Sequence, residues 1–181
     1  ACYYPSNFKK AAILIIDGAG EVASARIYLA WGNKLKRLLQ IDYPNSIGRF
    51  YGWVTDYLRF KIDCDEGKVM ALAAYGDKSL VKKMRKVVKI KEDGTFNLDL
   101  SYFDFPKDNQ KGFSDKFIKL FGKKREKNEL INQRHKNIAR AALEPGVGFG
   151  AFEGLQPAKN LQQRIEHAVV GSLIGSVFGG G

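Results

Sequence analysis

The run "AAILIIDGAGE", residues 11–21, constrains this chain more than any other stretch. Small and β-branched apolar residues from Ala11 to Ile16 stop abruptly at Asp17-Gly18. A short apolar run that ends on turn residues predicts a buried strand. Gly18 and Gly20 are expected to tolerate positive φ and the close approach of a ligand to the backbone. Their N–H groups could cradle a phosphate. Asp17, at the strand end, could hold a cation or orient a nucleophile. An ordinary Asp-Gly hairpin turn reads from the same residues without any ligand.

The following segments extend the strand into a meander. "EVASARIYLAWG" alternates like a second strand and "NKLKRLLQIDYP" like a third, with Gly32-Asn33 as the turn between them. Strand, tight turn, strand, tight turn, strand is an antiparallel order. Helical spacing then takes over. Asn45-Ser46 reads as a cap for "NSIGRFYGWVTDYLRF", with Ile47, Phe50, Tyr51, Val54, Tyr57 and Leu58 on one face. "DEGKVMALAAYG" predicts a short helix ended by Gly76, with acidic residues where the dipole favours them. "SLVKKMRKVV" predicts another helix, "VKIKEDGTFNLDL" a hairpin about Asp93-Gly94, "SDKFIKLFG" a helix capped by Ser114, and "NQRHKNIARAAL" the start of a longer helix. "EPGVGFGAFEGLQP" is rich in Gly and Pro and is expected to break that helix, after which "NLQQRIEHAVVGSLIGSVF" resumes a helical pattern. A meander followed by helices predicts a mixed α/β domain.

Composition narrows the partners. The 181 residues are 45% hydrophobic, enough for a core, and carry a net charge of +11, which favours anionic partners. The excess lies in "KSLVKKMRKVVKIK" and "KLFGKKREKNE", whose lysines are not interleaved with aromatics as a nucleic-acid stacking platform requires. They read as solvated helix faces, so nucleic acid is disfavoured. No apolar run approaches the ~20 residues of a membrane span. No signal peptide is expected at the start, both ends look cut, and Cys2 and Cys64 form neither a disulfide framework nor a zinc spacing. A cytoplasmic setting is expected. His135 and His167 are too few for a complete transition-metal site.

A second constellation is "DCDEGKVMALAAYG". Glu66 and Lys68 straddle Gly67 at a helix start, where a carboxylate could take ribose hydroxyls and a lysine phosphate. A capped amphipathic helix with solvated charges reads from the same residues. An acidic glycine turn in a meander followed by such a helix resembles the way actin-like and sugar-kinase-like ATPases hold nucleotides, an analogy of architecture only.

The blocks "YYPSNF", "AAILIIDGAGE", "NSIGRFYGWVTDYLRFK", "EGKVMALAAYG" and "NQRHKNIA" occur in that order between Ala1 and Arg140. Together they resemble the O-carbamoyltransferases of nodulation-factor and antibiotic biosynthesis, whose pattern reads YYPSPF, DGxGE, P-x-S-[IL]-G-x-x-Y, E-x-K-V-M-G-L-A-x-Y-G and TQRHKDIA. The resemblance implies an actin-like (ribonuclease H-like) domain fragment of a much longer protein, similar to the tRNA threonylcarbamoyl transferases. A separate part would make carbamoyl adenylate from carbamoyl phosphate and ATP. The actin-like part would pass the carbamoyl group to a hydroxyl-bearing small-molecule acceptor with the help of a bound iron. Carried over by position, Asp17 lies beside the metal and the adenylate, as base or metal partner. Gly18 and Gly20 form the turn that admits the ligand, and Glu66 and Lys68 contact the adenosine. A carbamoyl transfer needs a stabilised oxyanion and a base for the hydroxyl.

The departures from the pattern also carry expectations. The family's His-x-x-x-His precedes YYPS and would lie upstream of Ala1, and its later Asp ligand and adenylate-forming part are not in this chain, so the iron's ligands fall largely outside it. Gly67 stands where an aromatic is usual, and Ala71 and Ala74 where Gly and Pro are. Residues 1–142 are expected to be the partial transferase domain, 143–158 a Gly/Pro-rich insertion or artefact, and 159–181 a helical continuation. The chain alone would not turn over. A non-catalytic basic nucleotide- or nucleic-acid-binding module, or a degenerate remnant, is the alternative.

Overall fold

The computed structural model describes residues 2–91, 95–104 and 112–150, with side chains as far as Pro145. Three strands open the chain: β1 (Lys10–Ile16), β2 (Ala23–Trp31) and β3 (Lys34–Asp42). They form one antiparallel sheet in the order β1-β2-β3, as the alternation predicts. Gly32, at φ 51°, supplies the left-handed residue of the two-residue turn that pairs Trp31 with Lys34.

Two expectations for the first strand fail. The β1–β2 connection is a six-residue loop, 17–22, and not a tight turn, although the Asp17 N–H still reaches the Ser24 carbonyl at 2.8 Å. β1 is also not buried: Leu14, Ile15 and Ile16 are exposed, and β1 is an edge strand of the sheet, paired on one side only among the described residues. β2 takes the central position and is buried along nearly its whole length.

Helices close one face of the sheet. Ala25 pairs with Ile41 and Ile27 with Leu39, and these four side chains join the core with Phe50, Val54 and Leu58. α1 (Ile47–Tyr57) follows its cap: Ser46 accepts the Arg49 N–H, and Ile47, Phe50, Val54 and Tyr57 turn inward at helical spacing. α2 (Glu66–Ala73) buries Val69 and Ala73. α3 (Val81–Met84) is a single turn, shorter than "SLVKKMRKVV" predicts. Val88 is drawn instead into β4 (Val88–Ile90), where it pairs with Leu98 of β5 (Phe96–Leu98). The turn of this hairpin, at Asp93-Gly94, lies outside the described residues.

α4 (Asp115–Phe121) starts after Ser114, but that hydroxyl donates to the Ser101 carbonyl at 2.9 Å and does not cap the helix. α4 feeds an aromatic cluster in which Phe113 stacks on Phe117 at 3.7 Å and Tyr57 meets Phe117 edge-on at 5.2 Å. α5 (Gln133–Gly150) packs across the helical layer, burying Ile138, Ala139, Ala141 and Ala142. It runs through Pro145 to Gly150, past the point where the Gly/Pro stretch was expected to end it. Proline withdraws one donor, from the bond to the carbonyl four residues back. The turns before it are fixed by burial against the core. Residues 151–181, and with them the expected helical continuation, lie outside the described residues.

α5 and the segment that follows α2 meet at bare backbone. A Cβ on Gly76 would sit 2.2 Å from the Lys136 carbonyl oxygen. Gly76 therefore lets two chain segments touch. Its φ is not in the left-handed range, so it is no αL stop signal.

Candidate functional site

The β1–β2 loop is held by the helix that follows the sheet. Ser46, fully buried, donates toward the carbonyl oxygens of Gly18 (2.7 Å) and Asp17 (3.0 Å) while accepting the Arg49 N–H at 3.0 Å. One hydroxyl thus caps α1 and clamps the loop. Asn45 completes the anchor: its carbonyl accepts the Ser24 hydroxyl, and its Oδ1 accepts the Leu98 N–H at 2.9 Å. Gly48 is required where helix and loop touch, because a Cβ there would lie 2.8 Å from the Asp17 carbonyl oxygen.

The expected role of the loop glycines changes. Neither Gly18 nor Gly20 has positive φ. A Cβ on Gly18 would meet nothing within 4 Å, so this residue lies open to whatever enters. A Cβ on Gly20 would sit 2.5 Å from the Ala23 carbonyl oxygen, so Gly20 serves the packing of the loop on itself.

A cavity of about 490 Å³ opens beside this loop, lined by Asp17, Gly18, Ala19, Gly48, Arg49, Gly52, Asp63 and Glu66. The fold thus brings Asp17 and Gly18 to Glu66, which lies at the start of α2. Glu66 Oε1 accepts the Asp63 N–H at 2.8 Å, and Asp17 Oδ1 accepts the Gly18 N–H at 2.6 Å. Each carboxylate is fixed through one oxygen, which leaves the other for a ligand. Asp63 holds φ 61°, a conformation that Asp tolerates better than most residues. On α1, the Tyr51 hydroxyl is buried and has no hydrogen-bond partner among the described residues. Burial first, and the Glu66 charge second, push its pKa up to about 12. A smaller recess of about 190 Å³ on the other side of the loop shares Asp17 and includes Gly20 and Glu21.

Lys68 does not line either cavity. It is 67% exposed and pairs with Asp65 at 2.7 Å. The hydrogen bond from Lys68, aided by the Lys61 N–H, holds the Asp65 carboxyl below its usual range. The sequence also passed over residues that do line the site. Gly48 and Gly52 stand one turn apart on the same face of α1. Two glycines at that spacing inside a helix, each costing up to ~1 kcal/mol of propensity, were the readable signal of a floor kept free of side chains. Arg49 lay in a position that the P-x-S-[IL]-G-x-x-Y pattern leaves unspecified.

His135 is structural. Its Nδ1 accepts the Asn132 N–H while Asn132 Oδ1 accepts the His135 N–H, both at 3.2 Å, a reciprocal cap at the start of α5. Burial, then the Arg134 charge, hold its pKa below the ordinary 6.5. The resemblance implies a bound iron. Among the described residues, no group of three or more His, Cys, Asp and Glu side chains is placed to hold a metal ion, so these residues do not by themselves fit that centre. Among them, too, no helix is long and apolar enough to cross a membrane.

Fold and site together define a mixed α/β domain with an acidic, glycine-floored cavity at the end of an antiparallel meander. Residues 1–144 match the family model described as carbamoyltransferase N-terminus, and the chain belongs to that family. An uncharacterized protein of Synechocystis sp. is 36% identical over 141 residues, which is 77% of this chain and 23% of that protein. An uncharacterized protein of Methanocaldococcus jannaschii is 43% identical over 70 residues, 39% of this chain and 14% of its own length. Nodulation protein NolNO of Sinorhizobium fredii is 39% identical over 72 residues, 40% of this chain and 10% of its own length. The chain spans less than a quarter of the length of these relatives.

Proposed function

We propose that this chain is part of the carbamoyl-transfer site of a longer O-carbamoyltransferase with an actin-like domain, and that the cavity beside the β1–β2 loop receives carbamoyl adenylate. The observation that carries this reading is the convergence of Asp17, Gly18 and Glu66, from two separate sequence blocks, on one cavity. Family membership supports carbamoyl transfer as the chemistry.

In this reading the acceptor's hydroxyl oxygen bonds to the carbamoyl carbon. The bond from that carbon to the phosphate oxygen breaks, and AMP leaves with the electron pair. The hydroxyl proton passes to the free oxygen of Asp17. Glu66, oriented by the Asp63 N–H, takes hydroxyls of the ribose, and Gly18, whose N–H and carbonyl are taken by Asp17 and Ser46, leaves room for the ligand by lacking a side chain. The adenylate is made from carbamoyl phosphate and ATP by a part of the protein outside this chain. On this reading residues 1–142 are the transferase portion and 143–158 interrupt it. Lys68, engaged by Asp65 and turned to solvent, contributes less than its place in the sequence block implies.

Calorimetric titration with AMP tests the reading. Glu66→Gln should weaken AMP binding about tenfold, the worth of one charge-assisted contact to the ribose. Unchanged affinity removes the assignment of the cavity.

A further inference from the structure

We infer that Arg49 is the phosphoryl-recognising residue of this cavity, and that it selects an anionic nucleotide over the uncharged nucleoside. The inference rests on the proposed function above and adds to it a residue that no sequence block specified.

Three observations carry it. Arg49 lines the cavity from the first turn of α1 and is half-buried. Its guanidinium has no hydrogen-bond or ion-pair partner among the described residues. Among the described arginines only Arg85 shares this, and Arg85 is exposed and lines neither cavity; the others are engaged. Arg26 and Arg37 share Gln40, Arg59 holds the Arg125 carbonyl, and Arg125 holds the Leu58 and Glu129 carbonyls. Arg134 holds the Phe121 and Lys123 carbonyls, and Arg140 pairs with Glu144.

Three carboxylates also line the same cavity, and Arg49 makes no salt bridge with any of them. Asp17 and Glu66 are turned to backbone N–H groups instead. The guanidinium is thus left with its donors unused in a recess that holds opposite charge. Finally, the other cation near the acidic box, Lys68, is engaged by Asp65. A planar guanidinium binds phosphoryl oxygens through two parallel N–H bonds. It does so here beside the N-terminus of α1, where the helix dipole favours negative charge. Carboxylates for hydroxyls and a guanidinium for phosphate match the two ends of a ribonucleotide.

The test is calorimetric titration of the 181-residue chain with AMP and with adenosine, for the native sequence, Arg49→Ala, Arg49→Lys and Glu66→Gln. Arg49→Ala should weaken AMP at least about tenfold, the worth of one charged phosphate contact, and leave adenosine unchanged. Arg49→Lys should restore part of the loss. Glu66→Gln should weaken both ligands. If Arg49→Ala leaves AMP binding intact while Glu66→Gln weakens it, the inference falls and the proposed function stands. Equal loss of AMP and adenosine in Arg49→Ala would mark a structural role and also overturn it. If the native chain binds neither ligand, the proposed function falls, and the inference with it.

Discussion

Ser46→Ala removes the bonds that join α1 to the β1–β2 loop and leaves the cap of the helix unmade. A buried hydroxyl serving both a helix cap and loop carbonyls is worth about 1–3 kcal/mol. Urea denaturation should show a loss in that range, and a loss under about 0.5 kcal/mol would mean that the clamp is idle. The glycines of α1 should separate stability from binding. A Cβ at Gly52 would have only Ile62 Cγ2 at 3.9 Å and Glu66 Oε1 at 4.0 Å as neighbours. Gly52→Ala should therefore fold, gain up to about 1 kcal/mol from helix propensity, and narrow the cavity enough to weaken AMP. Gly48→Ala, driven against the Asp17 backbone, should lose stability instead. Thermal melts and AMP titration of the two variants check this pair. His135 adds a pH dependence. Its folded pKa lies below the ordinary 6.5, so the unfolded chain binds the proton more readily. Its contribution is fully present above pH 6.5 and is lost as the pH falls from there toward the folded pKa. Protonation would also remove the Nδ1 acceptor from the cap of α5. Urea midpoints measured from pH 5 to 7.5 should drop on the acid side, and His135→Gln, which keeps an acceptor, should flatten that slope.

At the scale of elements, the contact between α5 and the segment that follows α2 depends on Gly76. Gly76→Ala should force that segment off α5 and cost about 1–3 kcal/mol by overpacking, read as a lower urea midpoint. The elements that sequence disclosed were those whose signals are local. The β2–β3 hairpin is written in its alternation and in Gly32, and α1 in Ser46 and its apolar spacing. What was hidden depended on distant partners. Val88 looks helical beside its lysines, but pairing with Leu98 claims it for β4. Ser114 has the chemistry of a cap, but the Ser101 carbonyl takes its hydroxyl. Proline and glycine after Ala142 read as a stop, but burial of the preceding turns carries α5 onward. The site divides the same way. Asp17, Gly18 and Glu66 were legible from their blocks. Lys68 was legible and yet spent on Asp65, whereas Arg49 was invisible because no pattern fixed it and only the fold places it beside the carboxylates.

For the whole molecule, the +11 charge and the candidate site have opposite signs. Asp17, Asp63 and Glu66 outnumber Arg49 in the cavity, while the lysine-rich segments that carry the excess lie elsewhere on the chain. A long-range positive field steers anions toward the molecule and weakens with salt, whereas short-range contacts in a recess are screened less. The edge strand has a more practical consequence. Leu14, Ile15 and Ile16 are 40, 45 and 41% exposed beside an outer rim of β1 that carries no neighbouring strand among the described residues. A bare apolar edge is a template for aggregation between copies. Solutions of the purified chain should scatter more light as they are concentrated, and Ile15→Lys should keep them clear without altering the far-ultraviolet circular dichroism.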